Sequence, residues 1–247
     1  LRLALSRTVT RPSFIEMAPF LYQESYGSVQ LRGNEELVNS YNYNVDLRYE
    51  LLNRRGDMIS VTGYYKFLDE PIERVQMLSG RAAGHTFRNA GGIEVEVRKS
   101  LTETLRIGAN GTYMYTNVTL PDGGAYTNKE RALQGASPYL VNADITWSPR
   151  FDEVRQLNLA LLYNLQGPRI HAVGISGLGD VEQLPVHTLN FTAGYRINRW
   201  AEVKVQFSDL LGRALVFEQE VPQTGETVEV ERYRPGTGFE VGLNLRF

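Results

Sequence analysis

Cysteine is absent from the 247 residues, which excludes a disulfide framework and any zinc–thiolate site. Neither charge sign is in excess. The chain has 26 Lys and Arg against 28 Asp and Glu, a net of -2, and this leaves no basic footprint for nucleic acid. Histidine is scarce. His85, His171 and His187 are scattered, with neither the H-x-x-x-H nor the H-E-x-x-H spacing of a metal site. Long apolar runs are missing too. With a mean hydropathy of -0.30 and no stretch of about 18 apolar residues, a transmembrane helix is excluded. A membrane β-barrel is not excluded, because the lumen-facing half of each strand is polar and dilutes hydropathy.

What the chain does have is period-two alternation, with 23 glycines and 14 tyrosines. From Gly238 to Phe247, one set of positions is Phe239, Val241, Leu243, Leu245 and Phe247, and the other is Glu240, Gly242, Asn244 and Arg246. Successive strand side chains point to opposite faces, so one face is apolar and the other polar. The clearest run is Tyr41, Tyr43, Val45, Leu47, Tyr49 and Leu51 against Asn42, Asn44, Asp46, Arg48 and Glu50. Alternating stretches also begin near Leu1, Ile59, Ile93, Leu105, Tyr139, Leu157, Leu189 and Ala201, which predicts ten strands. Their connections alternate between short, near 53–57, 99–103, 149–154 and 198–199, and long. The last long one holds a hairpin of Ala214–Gln219 against Thr227–Arg232. G-I-S-G-L-G at 174–179 follows no βαβ pattern and reads as a flexible loop, not a phosphate cradle. Glu94 and Glu96 read as partners of Arg98 and Arg106 on the polar face.

Short turns at one end and long loops at the other are the asymmetry of outer-membrane barrels, with the turns periplasmic and the loops extracellular. Under that assignment Trp147, Trp200, Tyr195 and Phe247 fall at the short-turn rim. Tyr41, Tyr43, Tyr65, Phe67, Tyr113, Tyr115, Tyr139 and Tyr163 fall at the long-loop rim. Two aromatic girdles result, as expected where strands cross both membrane–water interfaces. The chain opens on Leu1-Arg2-Leu3, already alternating and without an initiator methionine, and a piece of a longer, processed chain is expected.

Four segments stand out: L-R-L-A-L-S-R-T-V-T-R-P-S-F-I-E-M-A-P-F at the start, G-N-E-E-L-V-N-S-Y-N-Y-N-V-D-L-R-Y-E at 33–50, R-A-L-Q-G-A-S-P-Y-L-V-N-A-D at 131–144 and L-L-Y-N-L-Q-G-P-R-I at 161–170. They resemble the C-terminal barrel half of TonB-dependent outer-membrane receptors of the Bacteroidota type. At 35 this chain has glutamate where the family has proline. The resemblance implies an all-β, transmembrane antiparallel β-barrel. Residues 1–247 would supply about the last ten of 22 strands, and the plug and TonB box would lie outside them. It implies energised uptake of a scarce ligand, such as a metal chelate, glycan or peptide, with no cofactor and no catalysis. The implied partners are outer-membrane lipid, TonB through a region upstream, and the barrel-assembly machinery reading Leu243, Leu245 and Phe247, with a surface lipoprotein as a further candidate. Two other classes stay open: a passive porin or adhesin, and a small barrel enzyme using Asp69, Glu70, His85 and His171 at the outer rim.

Overall fold

The computed structural model describes residues 1–23, 30–53, 56–72, 87–119 and 127–246, the side chains of 87–89 excepted. Phe247, Arg54, Arg55, His85 and the P-D-G-G stretch at 121–124 therefore lie outside the described residues. The elements are, in order, β1 (Arg2–Thr10), α1 (Phe14–Met17), β2 (Leu21–Tyr22), β3 (Leu31–Arg32), β4 (Ser40–Leu52), β5 (Met58–Asp69), β6 (Phe87–Ser100), β7 (Leu105–Thr119), β8 (Glu130–Arg131), β9 (Tyr139–Trp147), β10 (Gln156–Gln166), β11 (Arg169–Ala172), β12 (Val181–Gln183), β13 (Val186–Arg196), β14 (Ala201–Ser208), β15 (Leu215–Val221), β16 (Glu226–Tyr233) and β17 (Gly238–Leu245).

One long antiparallel path, β1-β4-β5-β6-β7-β9-β10-β13-β14-β17, forms a wall, with β8 adding a short pairing to β7. Each wall strand pairs with the next in chain order, and β1 and β17 are its two edges. The register keeps the apolar sets together, as in Val203↔Leu243 and Val205↔Val241, or Val45↔Tyr65 and Leu47↔Gly63. Directly opposed residues share a face, so the alternation read in single strands becomes two continuous surfaces.

Burial on these surfaces is inverted relative to a sheet in water. On β4 the apolar Tyr43, Val45, Leu47, Tyr49 and Leu51 are 43, 43, 50, 53 and 55% exposed, while Asn44, Asp46, Arg48 and Glu50 are half-buried. The wall thus encloses its polar face and presents its apolar one. Leu3, Leu5, Ile59, Ile93, Tyr113, Ile145, Val241 and Leu243 are exposed in the same way. Each large apolar side chain left in water forgoes ~1.5–3 kcal/mol, so this outward face needs an apolar solvent.

A second sheet, β11-β12-β15-β16, stands at the long-loop end. Its order repeats that of the wall strands β10-β13-β14-β17, from which its members continue. Pro168, Pro185, Asp209 to Gly212 and Pro235-Gly236 interrupt the ladder between the two sheets. Proline has no N–H to donate to a ladder, and Asp209, Gly212 and Gly236 have positive φ. The hairpin expected in the last long loop is β15 with β16, extended to Val221 and Tyr233. The reading of 174–179 as a flexible loop is corrected. The Gly174 N–H donates to Asp180 Oδ1 at 2.8 Å, Gly177 N–H to Thr127 Oγ1 at 3.1 Å, Gly179 N–H to the Glu220 carbonyl at 3.0 Å, and Gln223 Nε2 to the Gly177 carbonyl at 2.8 Å. Glycine content suggested freedom, but those glycines allow close backbone approach: a Cβ on Gly174 would collide with the Leu178 and Gly179 carbonyls. The long segment after β1 likewise holds α1, whose Ser13–Glu16 capping box closes its first turn.

At the other end the connections are tight. In the turn after β9, Asp152 Oδ1 accepts from the backbone N–H groups of Arg155 (2.6 Å) and Val154 (2.9 Å), while Oδ2 accepts from Arg155 Nε (2.6 Å). These contacts, the Arg155 N–H first, hold the Asp152 carboxyl well below its ordinary 3.8, at about 2. A depressed carboxyl stabilises the turn above its ordinary value, and that contribution is lost as the pH falls through about 2. The protection factors of the Val154 and Arg155 amides, taken relative to the intrinsic exchange rate at each pH, should therefore fall on acidification across that interval, and Asp152→Asn should remove that fall. For the wall, Leu243→Arg should cost ~2–4 kcal/mol in a folding titration in lipid, whereas Asn244→Arg should be far milder. Equal costs would contradict the assignment of faces.

Candidate functional site

The polar surface of the wall is laid out as two networks. On β4 to β6, Arg48 donates to Glu50 (3.0 Å) and to Glu96 (3.3 Å), and Arg98 reaches Glu96 at 2.6 Å. Arg2 of β1 adds a contact to Glu50 at 3.7 Å. The Arg48–Glu96 pair crosses β5 where that strand carries Ser60 and Thr62, side chains small enough to pass beneath it. Ser60 is buried there. Glu96, whose side chain is 12% exposed, is thus matched by two guanidinium groups, which offsets the cost of enclosing its charge. The pairing of Glu96 with Arg98 read from the sequence is present.

On the next three strands the network is uncharged. Asn164 Nδ2 donates to Asn142 Oδ1 at 2.6 Å, and Asn142 Nδ2 donates to Asn110 Oδ1 at 2.7 Å, making a ladder across β10, β9 and β7. Their registers, Asn110↔Asn142 and Asn142↔Asn164, place them at one level. Inward glycines let long side chains lie flat. Tyr64 covers Gly92, and Asp144 covers Gly108, so closely that a Cβ on either glycine would strike them.

The outward aromatics fall at two levels. At the short-turn end, Trp147 and Trp200 are exposed, and Tyr195 meets Phe151 edge-on at 6.3 Å. Trp200, Asp152, Arg155 and Arg199 line a shallow groove between the two turns. At the long-loop end, Tyr65 faces Gly91, which in turn faces Tyr115, and Tyr113 opposes Tyr139. Tyr163 shares a 2.7 Å hydrogen bond with His187. From Tyr113 to Leu105, which faces Trp147, is roughly 27 Å of strand at ~3.4 Å per residue. Leu243 and Leu245 face Val203 and Ala201 at the wall's β17 edge.

Sequence reading missed three features here. The amide ladder needed the register. So did the row Phe191–Phe207–Phe239, with ring centroids 6.3 and 4.9 Å apart on β13, β14 and β17. Phe151 sits in a turn with no periodicity to mark it. Of the rim residues weighed for chemistry, His171 is engaged edge-on by Phe217 at 4.8 Å. Asp69 ends β5, where its carbonyl accepts from Ser40 Oγ. Among the described residues, no three His, Asp or Glu side chains gather as a metal cluster.

Two solved structures of mutant forms of the ferric enterobactin receptor from Pseudomonas aeruginosa share this fold. They are 17% and 16% identical, with TM-scores of 0.58 and 0.57 over 99% and 98% of this chain. The chain spans only 38% and 37% of their length. No curated protein sequence matches. The wall order, the inverted faces and the short-turn/long-loop asymmetry agree with the family model described as TonB dependent receptor-like, beta-barrel, which matches residues 1–209; the chain belongs to that family.

Proposed function

We propose that this chain forms the C-terminal part of the barrel of an outer-membrane receptor that takes up a scarce ligand with energy relayed by TonB. The observation that carries the reading is the inverted wall, apolar outside and polar inside, in a chain of this family. In hydrocarbon every backbone N–H and C=O of a wall strand needs a partner. The outer edges of β1 and β17 are not paired to each other, so both take further strands, in a barrel of 22 with a plug in its lumen. The inner wall suits such a filling. Its ion pairs are closed among themselves, its amides are laddered, and Tyr64 and Asp144 lie flat. Trp147, Trp200 and Tyr195 form the periplasmic girdle, while Tyr65, Tyr113, Tyr139 and Tyr163 form the extracellular one. Leu243, Leu245 and Phe247 present the assembly signal. The interlocked second sheet stands on the extracellular side, where ligand arrives. Ligand chemistry, whether metal chelate, glycan or peptide, is set by those loops.

Two measurements test this reading. A cysteine in place of Glu226 should react with an impermeant maleimide on intact cells, and one in place of Glu153 should not; labelling at 153 alone inverts the topology. The full-length chain in a planar bilayer should stay closed to ions, because a receptor lumen is plugged. A steady open conductance would identify a passive pore and end the TonB-coupled reading.

A further inference from the structure

We propose that Arg7, with Tyr41 and Tyr43, forms a site on the outside of the wall for the phosphate of an anionic lipid head group. The proposal rests on the reading of the outward face as lipid-facing. Arg7 lies opposite Tyr43 on β1 and β4, flanked by Leu5↔Val45 and Val9↔Tyr41. Directly opposed residues share a face, so Arg7 belongs to the apolar surface and not to the lumen. Among the described residues it is the one arginine within the outward face of the wall strands. Asp69 and Lys99 sit at or next to strand ends, and His187 is hydrogen-bonded to Tyr163.

Its surroundings explain how a cation is kept there. The guanidinium carbon lies 4.3 Å from the centre of the Tyr41 ring and 5.5 Å from that of Tyr43. Both distances are within cation–π range. Among the described residues no carboxylate meets Arg7, and the Tyr41 and Tyr43 rings supply the attraction its charge receives. A guanidinium stacked on a ring keeps its N–H donors at its edges, where they can make the parallel pair of hydrogen bonds that a phosphate accepts. The level is also right. Arg7 is three residues short of the long-loop end of β1, about 10 Å of strand, in the row that includes Tyr43 and Phe67 at 6.1 Å between ring centroids. Aromatic belts of this kind mark head-group depth, and a long cationic side chain near a strand end extends toward that interface. An anion fixed there would come from the lipid, whose phosphates are held at that depth.

The test is lipid selectivity by electron paramagnetic resonance, with the full-length chain reconstituted in phosphatidylcholine. Spin-labelled phosphatidic acid should be preferred over spin-labelled phosphatidylcholine by about fivefold at the single Arg7 position, the scale expected of one basic residue, and the selectivity averaged over the whole lipid shell should rise above one by the share of that position. Arg7→Gln should abolish that preference while leaving the motionally restricted phosphatidylcholine unchanged. Tyr41→Leu, which keeps the charge and removes the nearer ring, should reduce it. A preference that survives Arg7→Gln overturns the site. Loss of the preference to inorganic phosphate, but not to chloride at equal ionic strength, shows a site filled from solution and overturns the lipid assignment. Absence of any restricted lipid, for either label, overturns the outward-face reading itself and the site with it.

Discussion

The structure depends on one constraint: a strand with an apolar outer face must satisfy its backbone polar groups sideways, on its neighbours. No water is available on the outside to take an unpaired N–H or C=O. This is why the wall is an unbroken antiparallel path from β1 to β17, and why its short turns are built to close tightly. Asp152 caps one such turn through two backbone N–H groups. In another, Asp57 Oδ1 takes the N–H of Ser100 at the end of the neighbouring strand β6. The same constraint fixes register, since a slip of one residue would exchange the faces of an entire strand.

The inside follows a different economy. Water reaches it, so charge is tolerated, but the wall arranges charge to cancel locally. Glu96 sits between Arg48 and Arg98, Glu50 between Arg48 and Arg2, and the neighbouring strands carry an uncharged amide ladder. Where the second sheet brings Glu182, Glu218 and Glu229 into register, the like charges are partly answered. Arg232 binds Glu229 through two hydrogen bonds and holds its carboxyl below the ordinary value.

The wall was legible in the sequence because its rule is local. Tyr41 to Leu51 and Phe239 to Leu245 alternate without a break, and an alternation of that kind states its own face. The features that escaped were those whose logic spans strands. Asn110, Asn142 and Asn164 are ordinary polar positions until the register sets them side by side. β11 and β12 are too short for a period to show. The second sheet also buries glutamine: Gln183 on β12 accepts from Arg169 Nε at 2.6 Å, and Gln219 on β15 donates to the Gly179 carbonyl at 2.8 Å. Buried amides matched in this way cost little, but nothing in hydropathy announces them.

The interruption between wall and second sheet has a consequence for how such proteins diversify. At Pro168, Pro185 and Pro235 the ladder cannot run on, so a change of length in an outer loop is not transmitted as a register shift into the strands beneath. The outer sheet can be lengthened, shortened or exchanged against a fixed scaffold, with local ties at the joint such as the Thr237 hydroxyl to the Asp209 carbonyl. Such a joint separates the outer sheet from the wall, whose strands must keep their register. Loop grafts cut at these prolines are the natural unit for engineering a receptor of this architecture.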